Sequence, residues 1–117
     1  MMGSATFHIP MPPSANSIWR AVNGRVIKSA DYRKWIRETA VAIRTSDDYR
    51  QYKGDCGVAI FVPRLRANMD LDNRIKPTLD ALQAAGVIEN DSNVVSIEAW
   101  FVGKDEPFQV MVNGELK

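Results

Sequence analysis

The side chains whose types and spacing could do chemistry lie in the stretch "NMDLDNRIKPTLDALQAAGVIENDSNVV", residues 68–95. Carboxylates this close together repel one another, and each raises the pKa of its neighbours. A bound divalent cation would relieve that repulsion, which suggests a metal site. The stretch contains Asp70, Asp72, Asn73, Lys76, Asp80 and Asp91.

The spacing of these residues indicates how they could meet. Asp70 and Asp72 are two positions apart, so in an extended segment both side chains project to the same side. Lys76 and Asp80 are four apart and would share one face of a helix. Asp91 follows a glycine in a turn, so the chain could fold it back beside Asp70. Three converging carboxylates are the oxygen ligands that Mg²⁺ or Mn²⁺ prefers, and without His or Cys beside them a zinc site is not expected.

Other interpretations of these acidic residues can be tested against the sequence. An EF-hand loop needs Gly at its sixth position, and counting from Asp70 that position is Ile75, so this reading fails. The phosphatase pattern Asp-x-Asp wants apolar residues before Asp70, where the polar "RLRANM" stands, so it is only a weak alternative. No P-loop, nucleophile elbow or dinucleotide fingerprint is present. A purely structural role stays open, with Asp72 capping a helix and Asp91 serving a turn.

The length and composition of the chain are those of a small globular protein. It has 117 residues, 45% hydrophobic and 25% charged, which predicts one domain over 1–117. A single cysteine, Cys56, excludes an internal disulfide and fits a reducing cytoplasm. The N-terminus lacks the pattern of a secretory signal, and no apolar run reaches the roughly 18 residues of a membrane span. We therefore expect a cytoplasmic protein with no membrane partner.

The near-neutral net charge of +1 conceals an asymmetry. Residues 1–69 carry eleven Lys and Arg against five Asp and Glu, a balance of +6. Residues 70–117 carry four against nine, a balance of −5. The pattern suggests a surface that attracts polyanions beside a site that attracts cations, although chance segregation of solvated charges would look the same.

The periodicity predicts an α+β (mixed α/β) domain, with a mixed sheet packed against two main helices. Ser29 or Asp31 should cap the first helix, over about 31–46, and Gly86 should end the second, over about 74–85. Asn23-Gly24 predicts a type I′ hairpin turn. Strands are expected over 5–9, 56–65, 94–104 and 107–116, and in the hairpin over 18–29.

The motif "DLDNRIKPTLDALQAAGVIENDSNVV" resembles the signature of the RusA-type Holliday junction resolvases, a family of crossover junction endodeoxyribonucleases. The opening "PMPPSANSIWR" is also similar to that family's start, and the likeness thins through residues 30–60. The resemblance implies a Mg²⁺-dependent, dimeric endonuclease of bacterial phage or prophage origin. Such an enzyme resolves four-way DNA junctions in recombination and repair by paired symmetric nicks, without an organic cofactor.

Carried over residue by residue, the resemblance makes Asp70, Asp72 and Asp91 metal ligands and Lys76 the essential cation beside them. Asp80 falls in the motif, with holding Lys76 as its expected role. The family often has two adjacent acids in the turn where this chain has Asn90 before the aspartate. An amide offers an oxygen without a charge, so Asn90, like Asn73, is expected near the metal ligands rather than among them.

Basic residues of the first half are the expected contacts to DNA phosphates, which give affinity without sequence information. The candidates are Arg20, Arg25 and Lys28 on the hairpin, Arg33, Lys34 and Arg37 on the first helix, and Arg64 and Arg66 near the acids. Two alternatives stay open: a branched-DNA-binding protein without catalysis, and a small-molecule phosphohydrolase using the same acids.

Overall fold

The computed structural model describes residues 1–15 and 18–117, and the side chains of 20, 22 and 25–27 lie outside that description. The strands are β1 (Met2–His8), β2 (Trp19–Val22), β3 (Arg25–Lys28), β4 (Tyr52–Pro63), β5 (Val94–Val102) and β6 (Gln109–Leu116). The helices are α1 (Ala30–Arg44) and α2 (Ile75–Ala84), and the short 3-10 turns Asp72–Arg74 and Asp91–Asn93 flank α2.

Four of the described strands form one mixed sheet in the order β1-β6-β4-β5, and β2 and β3 form a separate hairpin. β6 is antiparallel to β1 and β4, while β5 runs parallel to β4. The predicted α+β fold with a mixed sheet is thereby confirmed. Parallel strands need a crossover connection, and here residues 64–93, with α2, provide it. Every acidic candidate lies in this crossover.

The core lies between one face of the sheet and the helices. Alternate residues of β4, among them Val58, Ile60 and Val62, are buried together with Leu79 and Leu82 of α2. The period-2 pattern of the strand and the 3-4 pattern of the helix thus meet across one apolar layer. Because α2 is fixed by this packing, its polar face has a defined position.

The first helix begins where the sequence predicts it. Ser29 is the N-cap, with its hydroxyl accepting from the backbone N–H of Tyr32. Ala40 and Ile43 are buried, while Trp35 and Ile36 pack against the core at its edge. The hairpin prediction is also confirmed, since Asn23 and Gly24 both have positive φ, 50° and 75°, as a type I′ turn requires.

Two strands begin three or four residues earlier than predicted, and the other strand boundaries differ by two residues or fewer. β4 begins at Tyr52 rather than residue 56, because an irregularity between Lys53 and Cys56, with Gly54 at φ +67°, interrupts the alternation without ending the strand. β1 begins at Met2 rather than residue 5, since the first residues pair with the end of β6. Neither pairing has a local signal in the sequence.

The second helix is preceded by a 3-10 turn, as expected for a segment with Pro77 in the first turn of the helix that follows. Gly86, at φ +78°, follows its last turn, the position where a left-handed residue ends a helix. In the part of the chain that is described, no helix combines the length and the apolar character that crossing a membrane would require.

Candidate active site

Lys76 is the centre of a charged network on the polar face of α2. Its Nζ lies 2.9 Å from Asp80 Oδ1, one helical turn away, and 3.1 Å from Asp91 Oδ2. The hydrogen bond to Asp80 raises the pKa of Lys76 above its usual value, the contact with Asp91 adds to this, and partial burial opposes it. The predicted pairing of Lys76 with Asp80 is present, and the ammonium group stays protonated at neutral pH.

Asp91 is placed by the turn that leads into β5. Asn90 caps this turn: its Oδ1 accepts from the Ser92 N–H at 2.9 Å, and its own N–H donates to Asn93 Oδ1 at 3.1 Å. The Asp91 N–H donates to Gln83 Oε1 at 3.0 Å, which ties the turn to the last turn of α2. The amide of Asn90 therefore has a structural task, one that the sequence prediction did not assign to it.

Asp80 is the most enclosed carboxylate of the network, with 14% of its side chain exposed. Its Oδ2 accepts a hydrogen bond from the hydroxyl of Tyr32, which reaches across from α1. Tyr32 is fully buried, and burial together with this bond raises the pKa of its phenol far above the usual range. Sequence reasoning missed both Tyr32 and Gln83, because contacts between separate elements leave no periodic signal.

Asp70 and Asp72 stand on the exposed side of the segment between β4 and α2. Met69 is buried and Leu71 packs against the core, so the two acids alternate with apolar anchors and both face solvent. Asn73 Nδ2 donates to Asp70 Oδ2 at 3.3 Å. Asp70 and Asp72 are thus accessible to a ligand, and their side chains are held less firmly than that of Lys76.

The predicted convergence of Asp70, Asp72 and Asp91 is not found. Within residues 1–15 and 18–117, no three acidic, histidine or cysteine side chains are grouped closely enough to hold a metal ion. The carboxylate of Asp91 is instead paired with Lys76 in the first turn of α2, so its charge is balanced without a metal. The ligand roles of the three acids stay a prediction.

Arg74 joins the proline-rich segment 10–13 to the segment that carries Asp70 and Asp72. Its guanidinium donates to the backbone carbonyl of Pro12, and its half-buried position, with Arg66 nearby, lowers its pKa. The Nε of Arg74 has no hydrogen-bond partner within the described residues. The proline-rich segment 10–13 is therefore attached to the turn that carries Asp72.

The family comparison agrees with this arrangement. A family model described as "Endodeoxyribonuclease RusA" matches residues 10–113, nearly the whole chain. The chain belongs to the RusA family. A search among curated proteins gives no significant match. RusA proteins are endonucleases that resolve Holliday junctions, so the chain is placed among nucleases that hydrolyse DNA, and the recognition made from the motif is confirmed.

RusA resolvases generally depend on a divalent metal, and the donors of this chain fit one by their chemistry. Asp70 and Asp72 are exposed carboxylates, and Asp91 has 39% of its side chain exposed. Charged oxygen donors open to solvent are the ligands that hard cations such as Mg²⁺ take. That the aspartates hold the ion stays a prediction, because the structure does not group the three of them within the described residues.

The expected DNA-binding residues of the RusA chain are mostly exposed. Lys28, Arg33, Lys34, Arg37, Arg64 and Arg66 all reach solvent, while the side chains of Arg20 and Arg25 lie outside the described residues. Lys34 is also 3.9 Å from Glu38, and the Arg64 guanidinium stacks 4.8 Å from the centre of the Phe101 ring. Their contact with DNA stays a prediction.

Proposed function

We propose that this chain is a Mg²⁺-dependent, structure-specific endodeoxyribonuclease that resolves Holliday junctions by paired symmetric nicks. One observation supports the proposal most: in a chain of the RusA family, Lys76 is held between Asp80 and Asp91, in the helix that follows the segment carrying Asp70 and Asp72. A fixed ammonium group beside exposed carboxylates is suited to a reaction in which a phosphate gains negative charge.

The residues have distinct tasks in this proposal. Asp70, Asp72 and Asp91 would hold the Mg²⁺, or Mn²⁺ in its place, once the ion brings together carboxylates that the structure does not group. When bound, the metal lowers the pKa of an attacking water and neutralises charge on the phosphate. Lys76 donates hydrogen bonds to the scissile phosphate, and its raised pKa keeps it charged throughout the neutral range. Asp80 keeps the lysine in place.

The basic half of the chain would bind the arms of the junction. Arg33, Lys34 and Arg37 lie on the outer side of α1, whose first turn contacts α2 through Tyr32 and Asp80. Phosphate contacts from such residues give an affinity that falls steeply with salt concentration. We therefore expect junction binding to weaken markedly between about 50 and 200 mM salt.

A homodimer is part of the proposal, because two symmetric nicks require two active sites related by a dyad. Support comes from β5, whose outer edge has no partner strand among the described residues. Its apolar side chains Val95, Ile97 and Trp100 are 65%, 41% and 47% exposed, and Glu98 is its one charged residue. Long apolar edges of this kind invite pairing with a second copy.

A measurement of molecular mass in solution tests the dimer. The wild type should be a dimer, and Ile97→Lys should shift it toward the monomer. A wild-type monomer at micromolar concentration would contradict the dimer.

One assay tests the function and separates its alternatives. The protein is incubated with Mg²⁺ and a synthetic four-way junction, a linear duplex or a generic phosphate ester. We expect paired nicks in opposing strands of the junction, and we expect Asp70→Asn to bind the junction without cutting it. Binding without nicks by the wild type would favour a non-catalytic DNA-binding protein. Turnover of the ester alone would favour a phosphohydrolase.

A further inference from the structure

The hydroxyl of Tyr32 makes a contact that packing of α1 in the core does not require. It lies in the first turn of the helix, and its hydroxyl donates to Asp80 Oδ2 on α2 rather than to a backbone group. The other oxygen of the same carboxylate contacts Lys76 Nζ at 2.9 Å. Both oxygens of Asp80 are therefore used, one by the buried phenol and one by the ammonium group.

We propose that Tyr32 is a positioning residue for Lys76, acting through Asp80, in the cleavage reaction proposed above, on which this inference rests. A lysine side chain has four rotatable bonds, and a single exposed ion pair fixes it weakly. An anchor that is itself fixed changes this: Asp80 is largely enclosed, and the hydroxyl of Tyr32 holds its carboxylate in one orientation.

Asp91, the other partner of Lys76, is a poorer anchor. Its side chain is 39% exposed against 14% for Asp80, and in the proposed function its oxygens bind the metal. Asp80 is then the carboxylate that remains to hold the lysine. Holding the lysine then depends on how the Asp80 carboxylate is oriented.

Tyr32 is itself rigid. Its backbone N–H is bound by the capping Ser29 hydroxyl, its side chain is fully buried, and its ring stacks on Trp35 with centroids 6.3 Å apart. Lys28, at the end of the hairpin, places its Nζ 5.7 Å from the centre of the Tyr32 ring, and Lys28 and Asp80 line one cleft of about 250 Å³. The fixed end of α1 thus supports the lysine on α2.

The test is Tyr32→Phe, which removes the hydroxyl and keeps the ring. Tyr52→Phe is the matched control, because Tyr52 is equally buried and its hydroxyl donates to the carbonyl of Val112 in the sheet, at 3.1 Å. With saturating protein, we expect Tyr32→Phe to slow single-turnover junction cleavage roughly tenfold, the effect of one lost hydrogen bond in the transition state. Junction binding should not change, and Tyr52→Phe should cut at the wild-type rate. Equal rates in the two variants would overturn the proposal.

A double-mutant cycle distinguishes positioning from a general loss of stability. If Tyr32 acts through Asp80, adding Tyr32→Phe to Asp80→Ala should slow cleavage no further, since Asp80→Ala already removes both oxygens that link Tyr32 to Lys76. Independent, multiplying losses would contradict the proposal.

A readout without activity separates this inference from the proposed function. The ¹⁵N and proton resonances of the Lys76 ammonium group should shift and broaden in Tyr32→Phe and keep their wild-type positions in Tyr52→Phe. Unchanged resonances in Tyr32→Phe would overturn the positioning role even if the wild type cuts junctions. Shifted resonances in a protein that cuts no junction would support the positioning role and count against the proposed function alone.

Discussion

The two halves of the candidate site differ in how firmly the protein holds them. Lys76 is fixed by two carboxylates: that of Asp80 accepts a hydrogen bond from Tyr32 of α1, and the backbone N–H of Asp91 donates to Gln83 of α2. The Asp70–Asp72 pair is exposed on a turn, and the contact described for it is the bond from Asn73. Groups that stabilise a transition state gain from being oriented in advance, whereas ligands of a cation need to stay accessible to it. The protein therefore orients the ammonium group of Lys76 before a metal binds, and it leaves the carboxylates of Asp70 and Asp72 accessible to the ion.

The largest effect is expected at the open half. Asp72→Asn removes one charge from the metal ligands, so cleavage should fall by roughly a thousandfold or more. Binding of the junction should persist or tighten, since one repulsion with the phosphates is lost. Quantified cleavage in Mg²⁺ beside a gel-shift titration checks both. Asp47→Asn, an exposed acid just after α1, is the control and should cut like the wild type. Cleavage by Asp72→Asn at near wild-type rates would remove this acid from the metal site.

Loss of the Lys76 charge should affect cleavage and metal binding differently. Lys76→Met keeps a long side chain and loses the charge, so cleavage should fall about a hundredfold or more while Mn²⁺ binding is retained. Single-turnover rates together with a Mn²⁺ titration separate the two effects. Lys104→Met, in the exposed turn between β5 and β6, should change neither. If Lys76→Met bound metal as poorly as Asp72→Asn does, the two halves would not have separate tasks.

A smaller loss tests whether the turn of Asp91 is held from α2. Gln83→Met removes the acceptor of the Asp91 N–H and keeps the length of the side chain. Cleavage should slow by about fivefold, in line with one lost hydrogen bond at a surface. Gln51→Met, at an exposed position before β4, is a suitable control. Identical rates for Gln83→Met and the control would show that the turn is stable without this bond.

The smallest expected effect is a gain. Asn90→Asp places a second acid beside Asp91, and Asp serves as a cap nearly as well as Asn. The added charge beside Asp91 should lower the Mg²⁺ concentration needed for half-maximal cleavage by about threefold. Thermal unfolding should change little. A higher Mg²⁺ requirement in the variant would mean that the capping amide matters more than the charge.

Local signals predicted much of this molecule. Ser29, one of the two caps predicted for α1, is its N-cap, Asn23-Gly24 predicted the hairpin turn, and the spacing of Lys76 and Asp80 predicted their ion pair. Each of these depends on residues close together in the chain, where geometry follows from sequence distance. The family motif added the nuclease assignment, which the family comparison confirms.

Contacts between distant elements were beyond the same reasoning. The bond from Tyr32 to Asp80 spans 48 positions, and no spacing rule links them. The start of β4 was missed because Gly54 interrupts its alternation. The meeting of Asp91 with Asp70 was expected from a turn alone, whereas the contact of Asp91 with Lys76 depends on how the turn before β5 packs against α2.

The measurement that tests the central claim most directly is a Mn²⁺ titration of the intact protein without DNA, followed by the spectrum of the bound ion. If the aspartates are there to bind a divalent cation, Asp70→Asn, Asp72→Asn and Asp91→Asn should each weaken Mn²⁺ binding roughly tenfold or more, since affinity depends on the charge of the ligands. Asp47→Asn should bind like the wild type. Equal affinity for Mn²⁺ in all five proteins would contradict the account.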